Sequence, residues 1–299
     1  MSRRRGTGGS RAGWVLCFGE ALWDVLPRGI FLGGAPLNAA YHLSRHGVPV
    51  RLLSAVGNDF LGLEVRRRLQ VWELGDSDIT THPRLPTGTV LATLDANGSA
   101  TYRIERNVAW DRIAANRTLL AKSAPKAIVY GTLALRGSEN RRTLQRVLDR
   151  WPGTLRVLDL NLRSPFDRGS AISFALKRAG LLKLNDDELK RLTAMSVRSP
   201  ASIRKAALRC ANAHSLAGLC VTAGSSGAGL LWKGAWHWES GRKVEVRDTV
   251  GAGDSFLGAL VSGLVVRGIS PKQALARACR IGEFVATCDG ATPPYTART

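Results

Sequence analysis

The sequence predicts an α/β fold in three layers: a mostly parallel central sheet with helices on both faces and a small β lid. Three observations predict it. From Trp14 onward, short apolar runs of β type alternate with amphipathic stretches of helical period, the pattern of βαβ units. The chain has 299 residues, 44% of them hydrophobic, enough for one large domain with a proper core. One segment, Gly88 to Arg106, breaks the alternation with two successive β runs, and an antiparallel insertion of that kind often serves as a cover.

Residues 1 to 13 hold four arginines, several glycines and no large apolar residue after Met1, so they read as a basic tail outside the core. The tail is too short and glycine-rich for the amphipathic helix of a transit peptide, and no apolar stretch follows to make it a secretory signal. The domain proper then runs over 14–299. Its strand candidates are Val15 to Phe18, Arg51 to Ala55, Ala127 to Tyr130, Arg156 to Leu160, Gly180 to Leu184 and Leu219 to Thr222. Helices are expected over Pro36 to Arg45, Gly62 to Trp72, Glu139 to Asp149, Ala201 to Ala211, Gly253 to Val266 and Pro271 to Thr287. The runs TVLATL and ATYRIE are joined by Asp95-Ala96-Asn97-Gly98, a hairpin turn; the lid is expected over about 25–33 and 79–107. The alternative for the hairpin is an edge extension of the main sheet.

Bulk composition removes several classes of function. No apolar run approaches the ~20 residues of a membrane-spanning helix. Five scattered cysteines without a C-x-x-C pair suggest neither a disulfide framework nor a zinc site, and point to reduced thiols in the cytoplasm. The formal charge of +20 comes from arginines spread along the whole chain without interleaved aromatics, so no nucleic-acid partner is read from it.

Chemistry concentrates at Asp248-Thr249-Val250-Gly251-Ala252-Gly253-Asp254-Ser255-Phe256, ahead of the apolar helical run LGALVSGLVV. Small residues at 251 to 253 let backbone N–H groups point outward at a helix start, where the dipole favours negative charge, and so form an anion hole. An aspartate inside an anion hole would repel a resting phosphate unless it is needed to take a proton from an attacking hydroxyl. Phosphoryl transfer requires both together. The plainer alternative is an acidic helix N-cap. At the other end of the chain, Asp24 follows the first strand, and Gly33-Gly34-Ala35-Pro36-Leu37-Asn38 opens a helix. Ligands of open α/β sheets bind outside the carboxyl ends of strands, so Asp24 and Asn38 are placed to hydrogen-bond a polyhydroxyl substrate; Gly-Gly-x-Pro is also ordinary helix-start grammar. No G-x-x-x-x-G-K-[ST] loop occurs, which excludes a P-loop site, and no Rossmann fingerprint occurs in the N-terminal half.

With these motifs in view, the chain resembles the ribokinase-like (PfkB) family of carbohydrate kinases, in its fructokinase-like branch. GGAPLNAAYHLSRHG followed by Val56-Gly57-Asn58-Asp59 is similar to the family's first signature, and DTVGAGDSFLGALV to its second. Asp159-Leu160-Asn161-Leu162-Arg163, Lys183-Leu184-Asn185-Asp186-Asp187-Glu188, Val221-Thr222-Ala223-Gly224-Ser225-Ser226-Gly227 and Gly290-Ala291-Thr292-Pro293 resemble its intervening and closing motifs. The resemblance implies a ribokinase-like three-layer α/β/α sandwich. It implies Asp254 as catalytic base with Gly251, Ala252 and Gly253 as anion hole, and Asp24, Gly34 and Asn38 for the sugar. It implies Asn185, Thr222, Gly224 and Gly227 for ATP, and Glu188 for organising Mg2+ through water. Asp248 matches a position that helps form a monovalent-cation site in some relatives, which makes K+ a candidate. Arg163 is expected at the phosphate or in a surface ion pair. Tyr102 and Arg103 are lid candidates for the substrate, although strand alternation lets at most one of them point inward.

The expected activity is ATP-dependent phosphorylation of a monosaccharide's primary hydroxyl. Fructose comes first, because G-E-A-L-W-D and G-G-A-P-x-N resemble fructokinases, whereas ribokinases usually carry a lysine where Ala35 stands. 2-Keto-3-deoxygluconate comes second, with Arg103 or Arg106 for its carboxylate; ribose and nucleosides follow. A family member that binds sugar or nucleotide without turnover is the alternative of another class. A homodimer lies within the family's range, although the first lid stretch, Val25 to Leu32, is short.

Overall fold

The computed structural model describes residues 13–27, 29–94 and 100–296, with the backbone alone at 92–94 and 100–102. The expected basic tail up to residue 12 and the hairpin turn at 95–98 lie outside the described residues. The strands are β1 (Val15–Phe18), β2 (Leu22–Leu26), β3 (Gly29–Gly33), β4 (Val50–Gly57), β5 (Ile79–His82), β6 (Gly88–Leu94), β7 (Ala100–Ile104), β8 (Ala127–Gly131), β9 (Leu155–Asp159), β10 (Leu181–Asn185), β11 (Gly218–Thr222), β12 (Gly227–Trp232) and β13 (Ala235–Ser240). The helices are α1 (Ala35–Arg45), α2 (Phe60–Val71), α3 (Arg117–Leu120), α4 (Ser138–Arg150), α5 (Ser170–Leu176), α6 (Asp186–Thr193), α7 (Pro200–Ala213), α8 (Ala252–Val261) and α9 (Pro271–Ala286).

Nine strands form one sheet in the order β13-β12-β11-β10-β9-β8-β1-β4-β5. The pairings from β11 to β5 are all parallel, and β12 and β13 close one end antiparallel. Strand β1 shows why the layers are three. Its four residues, Val-Leu-Cys-Phe, are all fully buried, and successive side chains leave a strand on opposite faces. Val15 and Cys17 join a core built with α1, α2, α8 and α9, while Leu16 and Phe18 join one built with α4, α5, α6 and α7.

A second sheet, β3-β2-β6-β7, stands apart from the first. The edge-extension alternative for the 88–106 hairpin is therefore overturned: β6 and β7 pair with each other, and β6 continues onto β2. The expected boundaries need correcting at both ends. Residues 79–82, placed in the lid from sequence, form β5 and pair with β4 in the main sheet, whereas the small sheet begins at Leu22, where the first stretch folds into the β2–β3 hairpin. Entry into β6 is fixed by Asp59, whose carboxylate caps α2 through Gly62 N–H (2.8 Å) and also accepts from the N–H and Oγ1 of Thr87 (2.7 and 2.6 Å). These bonds outweigh burial and hold its pKa below the usual carboxylate range.

The helix expected over Gly253 to Val266 is α-helical only to Val261; the turn Ser262–Val266 widens to a π-type turn, and Arg267 N–H returns to Ser262 O at 3.0 Å. The preceding turns of α8 run against α1 at very short range. A Cβ on Gly258 would lie 2.8 Å from His42 Cβ and 3.2 Å from Leu43 N. We expect Gly258→Ala to push the two helices apart and to cost about 1–3 kcal/mol in urea unfolding, the usual penalty of overpacking a filled interface.

Candidate active site

The α8 N-terminus lies outside the carboxyl ends of the parallel strands. Gly251 is its N-cap residue, in the left-handed region at φ 77°, and a Cβ there would meet Ala291 Cα at 2.5 Å. Among the described residues no side chain caps the helix, so its first turn presents unshared amides and the positive end of a dipole. The Ala252 N–H is an exception to the expected hole, since it turns back to Thr249 O at 3.3 Å. Asp248 braces the approach: its Oδ1 accepts from Val250 N–H (3.0 Å) and its Oδ2 from Gly290 N–H (3.3 Å).

Asp254 sits in that first turn, and Asn38 from the start of α1 donates to it, Nδ2 to Oδ2, at 2.8 Å. Two sequence candidates from opposite ends of the chain thus touch. Asp24 projects from β2, with its Oδ2 so near Gly33 that a Cβ there would stand 2.4 Å away. Gly34, at φ 111°, crosses the Glu20 carbonyl at a range that no side chain tolerates. Burial pushes Asp254 and Asp24 up to about 6 and Glu20 up to about 7. The positive charge of Arg163 offsets part of this at all three, and Lys183 and the Asn38 bond do so at Asp254.

Beneath the helix start lies a pair that motif reading quoted without a role. Lys183, 7% exposed, reaches both oxygens of Asp159 at 3.0 and 3.1 Å, and its Nζ lies 3.0 Å from where a Cβ of Gly253 would stand. Burial favours the neutral amine, but Asp159, Asp254 and Glu188 outweigh it and raise the pKa. The signal available in the sequence was a lysine and an aspartate at the ends of adjacent parallel strands, two residues before an asparagine in each case. Glu20 was missed in the same way.

The Asn185 side chain accepts from Glu188 N–H (2.7 Å), while Glu188 Oε2 accepts from Asn185 N–H (2.8 Å) and Oε1 from Leu162 N–H (2.7 Å). That reciprocal cap fixes the ends of β9 and β10 together. Thr222 ends β11, and Gly224 (φ 51°) and Gly227 (φ 115°) shape the turn into β12. Arg163 is exposed and has no hydrogen-bonded carboxylate partner among the described residues. Arg103 is not brought to the cluster: it is 72% exposed and paired with Glu105 at 2.8 Å. Arg106 stacks over Phe166 at 5.0 Å, and the side chain of Tyr102 lies outside the described residues. No group of three or more His, Cys, Asp or Glu that could hold a metal occurs among the described residues.

This arrangement can be compared with known proteins. The family description "pfkB family carbohydrate kinase" matches residues 28–298. The chain belongs to the PfkB family of carbohydrate kinases. Its relatives include the fructokinase of Klebsiella pneumoniae, 28% identical over 93% of this chain and 94% of that one. Among solved structures, the fructokinase of Vibrio cholerae O395, a double mutant bound to fructose, ADP and potassium ion, superposes with a TM-score of 0.80 at 22% identity, covering 94% of each chain. The 2-dehydro-3-deoxygluconokinase of Thermotoga maritima does so at 0.81 and 18%, covering 96% and 97%. Both structural likenesses speak to the fold, which is ribokinase-like, and the family makes this chain a sugar kinase.

The raised pKa of Asp254 has a consequence for stability whose sign is fixed. A carboxyl titrating near 6 when folded and near its ordinary value when unfolded binds more protons in the native state, so its contribution falls as pH rises from about 4 to 6. Asp254→Asn should therefore be more stable than the parent at pH 8, by on the order of 2 kcal/mol in urea unfolding, with the difference closing toward pH 4.

Proposed function

We propose that this kinase transfers the γ-phosphoryl group of ATP to a primary hydroxyl of a neutral monosaccharide, fructose first among them. The observation that carries the reading is a half-buried aspartate at a helix N-terminus without a side-chain cap, hydrogen-bonded to an amide from the far end of the chain. Asp254 Oδ2 is held by Asn38, which leaves Oδ1 to accept the proton of the attacking hydroxyl as it closes on the γ-phosphorus. The N–H groups of Gly251 and Gly253, backed by Lys183, face the charge that builds on the migrating group. Asp24, Gly34 and Asn38 would hold the sugar. Asn185, Thr222, Gly224 and Gly227 would line the nucleotide.

The residues present fit Mg2+ that reaches the site on the nucleotide's phosphates. Both Glu188 oxygens already accept backbone amides, so it would meet the ion through its waters. Mg2+ would supply positive charge along the phosphates. Asp248 is the proposed neighbour of a monovalent cation, and activation by K+ over Na+ is its readout.

Electrostatics favours a neutral sugar over 2-keto-3-deoxygluconate. Three carboxyls, the buried Glu20 and the half-buried Asp24 and Asp254, are offset by Arg163 and, at Asp254, by a Lys183 already paired with Asp159, while Arg103 is occupied with Glu105 in solvent. An acceptor-rich site suits hydroxyl donors and repels a second carboxylate. The fructokinase relatives point the same way. The cysteines are free, four of them buried, and among the described residues no helix is long and apolar enough to cross a membrane, in keeping with the cytoplasm as the proposed location.

ADP release from Mg-ATP with fructose, glucose, ribose, 2-keto-3-deoxygluconate and adenosine tests the reading. One neutral sugar should give turnover, and Asp254→Asn should lose roughly 10²- to 10⁴-fold of it while still binding the sugar. Turnover within a few fold of the parent would remove Asp254 as the base; binding without turnover in the parent would favour the non-catalytic alternative. Because the base must be ionised, kcat/KM should rise with pH through about 6 and level off above it.

A further inference from the structure

Two polar side-chain atoms at the sugar end of the site are buried without a hydrogen-bond partner, Glu20 Oε2 and Asn38 Oδ1. Folded proteins leave few such atoms unsatisfied, and each calls for an explanation. Glu20 is 3% exposed and Asn38 5%. The backbone amides of Glu20 itself and of Ala35, in the first turn of α1, favour the charged form of the Glu20 carboxyl, which therefore lies beside the helix that carries Asn38. Neither amide reaches Oε2, which has no hydrogen-bond partner. Gly34 has room for no Cβ because the Glu20 carbonyl and Cγ occupy that space, at 2.4 and 3.4 Å. Glu20 is also within electrostatic reach of both Asp254 and Arg163, so it borders the reacting end of the site.

Both orphans are acceptors. Asn38 has already committed its Nδ2 to Asp254, and the other side chains gathered here, Asp24 and Asp254, are acceptors too. Arg163 apart, the cluster lacks donors, and a polyol is a set of closely spaced O–H donors. We propose that Glu20 is a specificity-determining substrate contact: its Oε2, beside Asn38 Oδ1, receives a hydroxyl of the neutral sugar and disfavours a sugar acid at that position. This inference rests on the sugar-kinase reading above, where Glu20 enters only through its charge, and gives it a direct contact with the sugar.

The test compares the parent with Glu20→Gln and Glu20→Ala on fructose and on its monodeoxy analogues. In Glu20→Gln, which keeps the size, the sugar KM should rise roughly 10- to 100-fold with kcat within about threefold and the ATP KM unchanged. One monodeoxy analogue should be poor for the parent, yet no worse than fructose for Glu20→Ala. A residue that only caps α1 would instead lower Tm, shift kcat and both KM values together and leave every deoxy penalty as in the parent, and that pattern overturns the proposal. Sugar binding without ATP, read by tryptophan fluorescence, separates this from failure of the kinase reading. A parent that binds sugar without turning it over sinks the kinase reading while the same comparison, made on Kd, still decides Glu20; a parent that binds no sugar overturns both.

Discussion

The 2.8 Å hydrogen bond from Asn38 to Asp254 is the contact on which the site's geometry turns. It joins residues 216 positions apart, so it exists only if α1 and α8 lie side by side at the correct axial offset. Gly258 allows the approach, since any side chain there would strike His42. The fully buried strand β1 feeds α1 through β2 and β3, and two antiparallel reversals leave β13 running the same way as β11, so the loop from β13 to α8 starts at the same edge. The catalytic arrangement we propose is thus a consequence of two helices packed too closely to hold anything larger than glycine.

Charge at this edge is balanced rather than neutralised. Asp159 and Lys183 form a buried pair, and with the lysine beneath Gly253 the positive member lies nearer the helix start. Asp159 drives Asp254 toward protonation and Lys183 drives it back, while burial exceeds both. A carboxyl poised near 6 is mostly ionised at neutral pH, yet basic enough to take a proton from a hydroxyl. Removing either partner of such a pair strands the other in low dielectric, so the pair is better regarded as one unit that sets the field at Asp254.

The sequence made the layered fold readable because parallel strands buried on both faces leave unbroken apolar runs, as in VLCF and AIVYG. The hairpin β12–β13 went unread: GAGLLW and AWHWES are rich in glycine and tryptophan and alternate poorly, and they are joined by Lys233-Gly234 rather than by a stronger turn dipeptide. Residues 79–82 were drawn into the lid because ITTH is short, polar and next to it, and only pairing with β4 reveals its place. Within the site, Asp24, Asn38 and Asp254 were legible from their positions in glycine-rich helix starts. Glu20 and the Asp159–Lys183 pair were not, since burial and an unpartnered oxygen are properties of the packed molecule. Arg103, a candidate from its position in the hairpin, pairs with the neighbouring Glu105 in solvent.

The closing motif extends the same logic to the 290–295 segment. Tyr41 donates its hydroxyl to Pro293 O at 2.8 Å, and His42 bridges Ala291 O and the Tyr295 hydroxyl at 2.9 Å each. A carbonyl can only accept, so His42 Nε2 carries the proton and Nδ1 accepts from Tyr295; burial, which lowers the imidazole's pKa to about 4, keeps the ring in that neutral form. Ala291 in turn is packed on Gly251, and Gly290 N–H is held by Asp248. The middle of α1 therefore grips the 290–295 segment, and that segment packs on the N-cap residue of α8. One helix thus contacts the start of α8 twice, through Asn38 directly and through the 290–295 segment, which ties a motif well beyond Asp254 to the candidate site.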